Sequence, residues 1–392
     1  MFKSSENILA VNGGSSSIKF AIYTNESEPV CILSGKIERI GLADPVMSFT
    51  ENGMDHKGMH VSAATMQESA TSLVDWLQKR NELSNLVAIG HRIVFGMEKT
   101  ETQIITTVLT DHLKNIRSYD PDHIPGEIAL INAFRQKLSH MIQVACFDTL
   151  FHSTMPRLAT MLAIPRALDE QGIRKYGFHG LSYQYILEEL RRAEEPAVVQ
   201  GRIIIAHLGN GASLAAVKDG HSVDTSMGFT PAGGLMMGTR SGDMDPGTTA
   251  VILQKMSMSA IEFNDFINHD CGLLGVSQTS PDMQQLLKNE NTDIRATEAV
   301  NLFCYNVKKW IGSFTAVLEG LDVLVFTGGI GENAAEVRWR ICIGLSYLGI
   351  ELDRKMNENG KGIVSGKNSR IKVYVIATNE ELMIAKLVNS VL

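Results

Sequence analysis

The 392-residue sequence lacks the features that mark several specialised classes of protein. Its five cysteines are scattered, without the CxxC spacing of a zinc site or the density of a disulfide framework, which predicts a reducing compartment. Positive charge is not in excess, because the net charge is −7, so neither nucleic acid nor an anionic membrane is expected as a partner. No apolar run approaches the length of a membrane span, and the start of the chain lacks the apolar core of a signal peptide. These absences predict a cytoplasmic globular protein.

Several catalytic signatures are missing as well. The sequence has no G-x-S-x-G elbow and no cysteine in a basic, glycine-flanked context, so a serine or cysteine nucleophile is not favoured. It also lacks the P-loop spacing and the dinucleotide fingerprint G-x-G-x-x-G, which argues against a Rossmann dehydrogenase. The length exceeds that of one comfortable hydrophobic core, and two domains are therefore expected.

What the sequence does contain is a long glycine-rich stretch, residues 224–248, with the sequence DTSMGFTPAGGLMMGTRSGDMDPGT. Its six glycines and two prolines disfavour any helix or strand, and a loop of this length is usually either functional or disordered. Its methionine, phenylalanine and leucine side chains favour an ordered, functional loop over a flexible linker. The only cation is Arg240, and we expect Asp224, Asp243 and Asp245 to hold it in place as the working residue of the loop.

Two segments in opposite halves of the chain share one pattern. Residues 8–23 (ILAV-NGGSSS-IKFAIY) and residues 202–220 (RIIIAHLGNGASLAAVKDG) each join two apolar runs through a glycine-rich turn. The pattern predicts two β-hairpins, and their similarity predicts a duplicated architecture that holds a nucleotide between its halves. The glycine segment of residues 8–23 could equally be an ordinary tight turn. A third one, TGGIGEN (327–333), follows the strand-like run DVLVF (322–326) and has the form of an anion-accepting strand–helix junction.

Polar residues that follow predicted strands are further candidates for a site. His91 and Arg92 follow LVAIG (86–90), and Asp148 comes shortly after IQVAC (142–146). In α/β proteins such positions often belong to a site. The alternatives are a surface salt bridge for Arg92 and a helix N-cap for Asp148.

Two more candidates lie next to glycines or at a helix start. His179 lies in the segment YGFHG, whose glycines would let it approach a ligand. Thr378 and Glu381 have the spacing of a capping box, which leaves Glu380 as a candidate Mg²⁺ ligand. Glycine-rich loops, two arginines, a histidine and two carboxylates are what phosphoryl transfer needs, because it depends on positioning, magnesium and cations around the transferred group. Arginine suits a carboxylate acceptor and a phosphoryl group because its fork donates two parallel hydrogen bonds.

Six segments carry a family resemblance that spans essentially the whole chain. They are NGGSSSIKF (12–20), FDTLFHSTMP (147–156), YGFHG (176–180), HLGNGAS (207–213), residues 224–247 and TGGIGEN (327–333). Together they resemble the acetate kinase (acetokinase) family. The resemblance implies an α/β fold of the duplicated actin-like ATPase (ribonuclease H-like) type, with two domains and a cleft between them. The implied domains are an N-terminal acyl kinase domain, residues 1–148 plus 382–392, and a C-terminal nucleotide-binding and dimerisation domain, residues 149–381.

The resemblance also implies an activity and partners. It implies reversible transfer of the ATP γ-phosphoryl group to acetate by direct in-line displacement, giving acetyl phosphate and ADP. The implied cofactor is Mg²⁺, with Mn²⁺ as an alternative, the co-substrate is ATP or ADP, and the protein would be a homodimer. Two alternatives remain open: a propionate or butyrate kinase, and a non-catalytic ATP-binding module on the same fold.

Site residues are carried over by motif. Asp148, His179 and Arg240 would be catalytic, and Asn12 and Glu380 would serve the metal. The implied substrate-binding residues are Arg92 for the carboxylate, His123, and Val94, Phe178 and Pro231 around the acyl chain. The implied ATP-binding residues are Lys19, His207, Leu208, Gly209, Asn210, Gly211, Asp282, Met283, Gln284, Gly329, Ile330, Gly331, Glu332 and Asn333.

Four positions depart from the family's usual pattern. Asp122 and Ile124 stand where the motif PLHNP has leucine and asparagine, and a carboxylate beside an anionic substrate would repel it. Met97 stands where the family has the second glycine of GGE, and it adds bulk next to Arg92. Gln284 stands where an arginine is usual near the adenine. These departures leave acyl-chain and nucleotide-base selectivity open.

Overall fold

The computed structural model describes residues 6–14, 16–80, 83, 85–99 and 101–392. Its chain folds into two compact units. The first contains residues 1–150 and 379–392, and the second contains residues 151–378. In the described part of the chain, no helix is both long and apolar enough to cross a membrane.

The strands, in chain order, are β1 (Asn7–Gly13), β2 (Ser17–Thr24), β3 (Cys31–Glu38), β4 (Val46–Glu51), β5 (Met54–His60), β6 (Leu86–Ile93), β7 (Gln103–Ile104), β8 (Ile142–Phe147), β9 (Arg202–Leu208), β10 (Ala212–Lys218), β11 (His221–Thr225), β12 (Val323–Thr327), β13 (Gly362–Ile363) and β14 (Lys372–Val375). The α-helices are α1 (Met66–Gln78), α2 (Thr107–Ile116), α3 (Ile124–Lys137), α4 (Arg157–Thr160), α5 (Arg166–Asp169), α6 (Gly180–Ala193), α7 (Pro196–Val199), α8 (Pro246–Met256), α9 (Ala260–His269), α10 (Gly272–Ser277), α11 (Met283–Asn289), α12 (Ile294–Val317), α13 (Gly328–Asn333), α14 (Ala335–Cys342), α15 (Arg354–Asn359) and α16 (Glu380–Asn389). Short 3-10 helices cover Leu150–Thr154 and Ser346–Leu348.

Each unit is built on one sheet, and the two sheets share a topology. The strand order among the described residues is β5-β4-β3-β2-β1-β6-β8-β7 in the first unit and β11-β10-β9-β12-β14-β13 in the second. In both, an antiparallel hairpin (β1–β2 or β9–β10) is followed by two parallel neighbours (β6 and β8, or β12 and β14). This confirms the two predicted hairpins and the predicted duplication.

The buried strands follow from continuous apolar runs, as expected of parallel strands covered on both faces. Every residue of β1 and of β12 is buried. In the first unit α16 packs on the sheet at Gly90, where an added Cβ would collide with the side chains of Ile384 and Val388. The C-terminal helix is therefore part of the core of the first unit.

The structure differs from the sequence expectations at several boundaries. Strand β6 continues to Ile93, because its pairing with β8 extends to Phe147, so His91 and Arg92 lie inside the strand. The prolines of YDPDHIPG (119–126) predict a loop, but helix α3 begins within it at Ile124, since a proline in the first turn of a helix costs no hydrogen bond. The predicted capping box at the last helix is wrong: Asn379, not Thr378, is the N-cap of α16.

The glycine-rich stretch forms a long irregular segment, as predicted. Strand β11 ends at Thr225 and α8 begins at Pro246, and no helix or strand interrupts the described residues between them. The loop is largely buried, with Met227, Leu235 and Met237 fully buried. An ordered loop, rather than a linker, is confirmed.

Candidate active site

In the first unit, Arg92 and Asp148 form a buried ion pair at neighbouring strands. Arg92 lies on β6 and Asp148 follows β8, and these two strands are parallel partners. Arg92 Nε and Nη2 donate to Asp148 Oδ2 at 2.9 and 2.6 Å, and Asp148 is fully buried. Asp148 Oδ1 has no hydrogen-bond partner among the described residues. Both alternative predictions are therefore wrong: Arg92 is not part of a surface salt bridge, and Asp148 is not a helix N-cap.

Burial and the nearby charge of Glu380 both shift the pKa values of Arg92 and Asp148. Burial by itself would lower the pKa of Arg92, but Asp148 and then Glu380 more than offset it and hold the pKa above its ordinary value. Burial raises the pKa of Asp148, Arg92 opposes this, and Glu380 raises it further. A carboxylate acceptor that bound to Arg92 would therefore enter a setting that already holds the negative charges of Asp148 and Glu380 beside the guanidinium.

Asn12 lies between the carboxylates at the start of α16. Its Nδ2 donates to Glu380 Oε2 and to Glu381 Oε1, each at 2.9 Å, and its Oδ1 accepts from Arg92 Nη1 at 3.3 Å. Glu381 therefore does not complete a capping box; it faces Asn12 beside Glu380. Lys19 is exposed and stands opposite Asn12 in the β1–β2 register.

The side chains of Asn12, Glu380 and Glu381 have the chemistry of a magnesium site. Two carboxylates and an amide are hard oxygen ligands, and Mg²⁺ in phosphoryl-transfer sites is commonly held by one or two carboxylates plus substrate phosphates. Glu380 and Glu381 already converge on Asn12. No group of three or more histidine, cysteine, aspartate or glutamate side chains with metal-binding geometry occurs among the described residues. The site would thus be completed by phosphate oxygens and water.

Glu127 is a buried residue that the sequence reasoning missed. Its Oε1 accepts from the backbone N–H of Val94 at 2.8 Å, and its Oε2 has no partner in the described part of the chain. Burial raises the pKa of Glu127 well above its ordinary range; the Val94 N–H opposes this and Asp120 adds to it. The sequence feature that could have identified Glu127 is a single glutamate on the apolar face of a helix. Beside it, His123 Nδ1 and Asp120 Oδ1 are 2.8 Å apart.

In the second unit, His179 is held by its own backbone and by two neighbours. It adopts a left-handed conformation (φ 60°) as the N-cap of α6, directly after the buried Phe178. Its Nδ1 lies 2.8 Å from Ser213 Oγ, and its ring stacks on His207 with centroids 4.3 Å apart. His207 Nδ1 is in turn 2.8 Å from Ser182 Oγ. Both predicted histidines therefore have fixed rings.

Gly211 marks the place where His179 and Arg240 meet. A Cβ added to Gly211 would lie 3.4 Å from His179 Nε2 and 3.6 Å from Arg240 Nη1. Arg240 Nη1 also donates to the carbonyl of the buried Pro231 at 3.3 Å. The neighbouring Asn210 accepts from Gly238 N at 3.0 Å through its carbonyl, so the 224–248 loop lies against the β9–β10 turn. The structure thus brings together two predicted catalytic residues and a predicted phosphate-type turn.

The aspartates of the loop do not hold Arg240, contrary to expectation. Asp224 pairs with Lys175 at 2.8 Å, and Asp243 accepts from Gly234 N at 2.8 Å. Asp245 accepts from Thr248 N as the N-cap of α8. The carboxylates were needed to fold the loop, where the backbone N–H groups freed by irregular structure must find acceptors.

The third glycine segment forms a helix immediately, rather than a turn followed by a helix. Gly328 has φ 77° and a Cβ there would lie 2.8 Å from the carbonyl oxygen of Leu208, so only glycine fits. A Cβ on Gly209 would lie 3.9 Å from Gly329 N, which places the two predicted nucleotide segments side by side. Glu332 Oε1 accepts from Gly328 N at 3.0 Å and Thr378 N at 3.1 Å. Asn333 Nδ2 donates to the carbonyl of Gly329 at 2.9 Å. Ile330 and Gly331 lie between them within α13.

The predicted nucleotide residues 282–284 are divided by exposure. Asp282 is the N-cap of α11 and accepts from Gln284 N at 2.8 Å. Met283 is buried, so its side chain belongs to the core. Asp282 and Gln284 are both exposed, and of the two Gln284 lies in the first turn of the helix.

The duplicated sheets and the positions of these residues define a class of protein: an α/β enzyme with the duplicated actin-like ATPase fold. The chain belongs to the acetokinase family, whose model matches residues 7–386. It is 42% identical over 395 residues to an acetate kinase of Clostridium acetobutylicum, with 96% of this chain and 97% of the relative covered.

Two solved structures are similar over nearly their whole length. A propionate kinase from Francisella tularensis subsp. tularensis SCHU S4 has a TM-score of 0.91 and 36% identity, covering 99% of this chain and 100% of the other. An acetate kinase from Porphyromonas gingivalis has a TM-score of 0.84 and 34% identity, covering 97% and 98%.

Proposed function

We propose that this protein reversibly transfers the γ-phosphoryl group of ATP to acetate, giving acetyl phosphate and ADP by direct in-line displacement. The observation that carries the proposal is the convergence of His179 Nε2 and Arg240 Nη1 on Gly211, within a glycine-rich turn. Two side-chain donors next to a glycine, which has no side chain to fill the space, can both bind a phosphoryl group during its transfer. Such transfer depends on positioning and charge stabilisation, with little covalent work by the protein.

The first unit supplies the acceptor half of the reaction in this proposal. Arg92 binds the carboxylate of the acid through its charge and through the N–H groups of Nη1 and Nη2 that are not aimed at Asp148. Asp148 holds the guanidinium through Nε and Nη2, which leaves Nη1 directed to Asn12 and the carbonyl of Gly13. Val94, two residues after Arg92 on the chain, is buried and in this proposal forms part of the wall for the acyl group.

The second unit supplies the nucleotide half. Backbone N–H groups of the turn 207–211 and of helix α13 would donate to phosphates, as glycine turns and helix starts do. Two of them are already bonded, since Gly209 N donates to the Gly211 carbonyl and Gly328 N donates to Glu332. His179 donates from Nε2 to the transferred group, provided that Nδ1 accepts from the Ser213 hydroxyl, and Arg240 contributes a fixed positive charge. One well-placed arginine of this kind is worth on the order of 10³–10⁵ in rate.

Asn12, Glu380 and Glu381 would hold Mg²⁺, and Lys19 would face the nucleotide phosphates. When bound, the ion neutralises charge on phosphate oxygens and orients them for in-line attack. Asn12 can offer its amide oxygen only if the bond from Arg92 Nη1 to Oδ1 is released or shared. We therefore expect the metal to depend on Glu380 and Glu381 more than on Asn12.

A hydroxamate assay with ATP and Mg²⁺ tests the proposal. Acetate, propionate and butyrate are offered in turn, and acyl phosphate is expected with acetate as the best acceptor. Faster turnover with propionate would replace acetate in the proposal by the longer acid. No acyl phosphate from any of the three would show that the protein is not an acyl kinase.

Helices α8, α9 and α12 support a homodimer formed through the second unit. Their exposed apolar side chains include Ile261, Ile294 and Tyr305, whose relative exposures are 84%, 69% and 60%. Exposed apolar side chains that form one contiguous patch usually mark protein–protein contacts, and in this proposal these three lie at the dimer contact. Light scattering at micromolar protein should give twice the monomer mass, and a monomer mass would contradict the dimer.

A further inference from the structure

His152 is a fully enclosed histidine that the proposed chemistry does not use. It lies in the 3-10 helix Leu150–Thr154 and is 2% exposed. Its Nε2 is 3.0 Å from the carbonyl oxygen of Phe178, and its Nδ1 is 2.8 Å from Ser222 Oγ. Phe178 immediately precedes His179. One ring therefore links the β11 strand to the backbone of the predicted catalytic histidine.

The partners of His152 fix its tautomer. A carbonyl oxygen can only accept, so Nε2 must carry the proton and donate to Phe178. Nδ1 is then an acceptor, and the hydroxyl of Ser222 must donate to it. Burial lowers the pKa of His152 to about 4, the bond to Phe178 opposes this, and Lys175 lowers it further. The ring is thus a neutral, single-tautomer donor at physiological pH.

The segment before His179 has few other conformations open to it. Gly177 has φ 77°, and a Cβ there would lie 2.7 Å from His152 Cδ2, so this backbone packs directly on the His152 ring. The N–H groups of Tyr176 and Gly177 both point to the carbonyl of Gly228, at 3.1 and 3.4 Å. The chain then enters the left-handed conformation of His179, which residues other than glycine rarely adopt.

We propose that His152 is a positioning residue: by binding the Phe178 carbonyl it holds His179 left-handed, with Nδ1 on Ser213 and Nε2 beside Gly211. The proposal rests on the proposed function, in which His179 Nε2 donates to the transferred phosphoryl group. Without the Nε2 bond to Phe178, the peptide between Phe178 and His179 can rotate. The imidazole would then move away from its place beside Gly211, and a misplacement of about 1 Å can cost 10²-fold in rate.

Two amide substitutions separate the two bonds of His152. In His152→Gln the terminal amide reaches the position of Nε2 and can donate to the Phe178 carbonyl, while Ser222 loses its acceptor. In His152→Asn the shorter amide reaches the position of Nδ1 and can accept from Ser222, while the Phe178 carbonyl loses its donor. A role in packing alone would favour neither variant in this way.

The expected result is a large difference in kcat between the variants. His152→Gln should stay within about threefold of the unmodified protein, and His152→Asn should lose about 10- to 100-fold in kcat with little change in either KM. Rates are divided by the ADP-binding stoichiometry from calorimetry, so an unfolded fraction does not lower kcat. His221→Gln, at an exposed histidine next to Ser222, is the matched control and should be unchanged.

The outcomes that overturn the proposal are distinct. Equal losses in both variants, or a more active asparagine variant, would assign His152 to packing. If the asparagine variant cannot be isolated, the glutamine variant decides the matter by itself. It keeps the bond to the Phe178 carbonyl and should therefore keep its rate, so a kcat below about a tenth of normal would contradict the proposal.

A second measurement needs no variant. Nitrogen-15 spectra of labelled imidazoles should show a neutral His152 protonated at Nε2 from about pH 5.5 to 8.5, across which an ordinary histidine titrates. A ring protonated at Nδ1, or one that titrates in that range, would overturn the proposal. Failure of the proposed function itself would appear differently, as absence of acyl phosphate from the unmodified protein with every acid.

Discussion

Arg240 extends from the 224–248 loop to the edge of Gly211, where its charge can meet a phosphoryl group. Arg240→Ala should reduce kcat by about 10³-fold or more and leave nucleotide affinity largely intact, because in the proposed reaction the guanidinium acts on charge that develops in the transition state. Arg240→Lys retains charge but loses the planar fork, and an intermediate loss is expected. Steady-state kinetics and ADP calorimetry measure the two quantities separately. Weakened ATP binding with normal turnover at saturation would show that Arg240 binds nucleotide instead.

Glu127 predicts a pH dependence of stability. Burial raises its folded-state pKa well above the usual value of 4.5, so the folded protein binds this proton more tightly than the unfolded chain does. The contribution to the free energy of unfolding is therefore present below about pH 4.5 and is lost as pH rises through the folded-state pKa. Groups facing it include Asp120, Arg92 and Asp148.

Glu127→Gln removes this titration while keeping an oxygen for the Val94 N–H. Urea unfolding at a series of pH values should show a decline above pH 4.5 in the unmodified protein that is weaker in the variant. Glu28→Gln, at an exposed glutamate, is the control and should follow the unmodified protein. Parallel pH profiles for the Glu127 variant and the unmodified protein would mean that Glu127 does not hold a proton in the folded state.

Met97 stands where the family pattern GGE has its second glycine. It has φ 52°, the left-handed region in which glycine is usual, and its side chain is only partly buried. Gly96 is the residue that cannot change, because a Cβ there would lie 2.5 Å from the ring of Phe147. Ile124 is fully buried as the first residue of α3 and serves packing.

At the scale of elements, α16 depends on a cap that also ties the helix to the sheet. Asn379 Oδ1 accepts from Leu382 N at 2.9 Å and from the hydroxyl of Tyr23 at 3.2 Å. Asn379→Ala should destabilise the protein by about 1 kcal/mol, since an N-cap amide or carboxylate satisfies an otherwise orphan N–H. Because α16 carries Glu380 and Glu381, the Mg²⁺ concentration needed for half-maximal rate should rise as well.

Asn379→Asp is the matched control for that cap. The carboxylate keeps an acceptor for both Leu382 N and Tyr23, and aspartate is as good an N-cap as asparagine. Chemical denaturation should therefore show near-normal stability for Asn379→Asp. An alanine variant as stable as the aspartate variant would show that the cap contributes nothing.

At the scale of the whole molecule, the first unit is discontinuous in sequence. The chain leaves it after Leu150 and closes its core only at Asn379. Ile384→Ala should cost about 2–5 kcal/mol, the usual range for removing such a side chain from a buried position. Thermal unfolding and proteolysis should show damage to both pieces, residues 1–150 and 379–392. Leu392→Ala, at a half-exposed residue, should be neutral, and confinement of the damage to the last helix would contradict a shared core.

The sequence by itself determined the repeated architecture and the irregular loop. Continuous apolar runs around glycine turns left few choices for the two hairpins, and six glycines with two prolines excluded regular structure at 224–248. Motif resemblance supplied the candidate residues. Local rules are sufficient for such features because they depend on near neighbours in the chain.

Only the tertiary structure decided which groups face one another. Arg92 and Asp148 are 56 residues apart, and parallel pairing of β6 with β8 brings them into one buried ion pair. The partners of Asp224, Asp243 and Asp245, and the cap of α16, were mistaken because an acceptor binds whichever N–H the fold places nearest. Contacts between distant residues depend on strand order and burial, which no local pattern records.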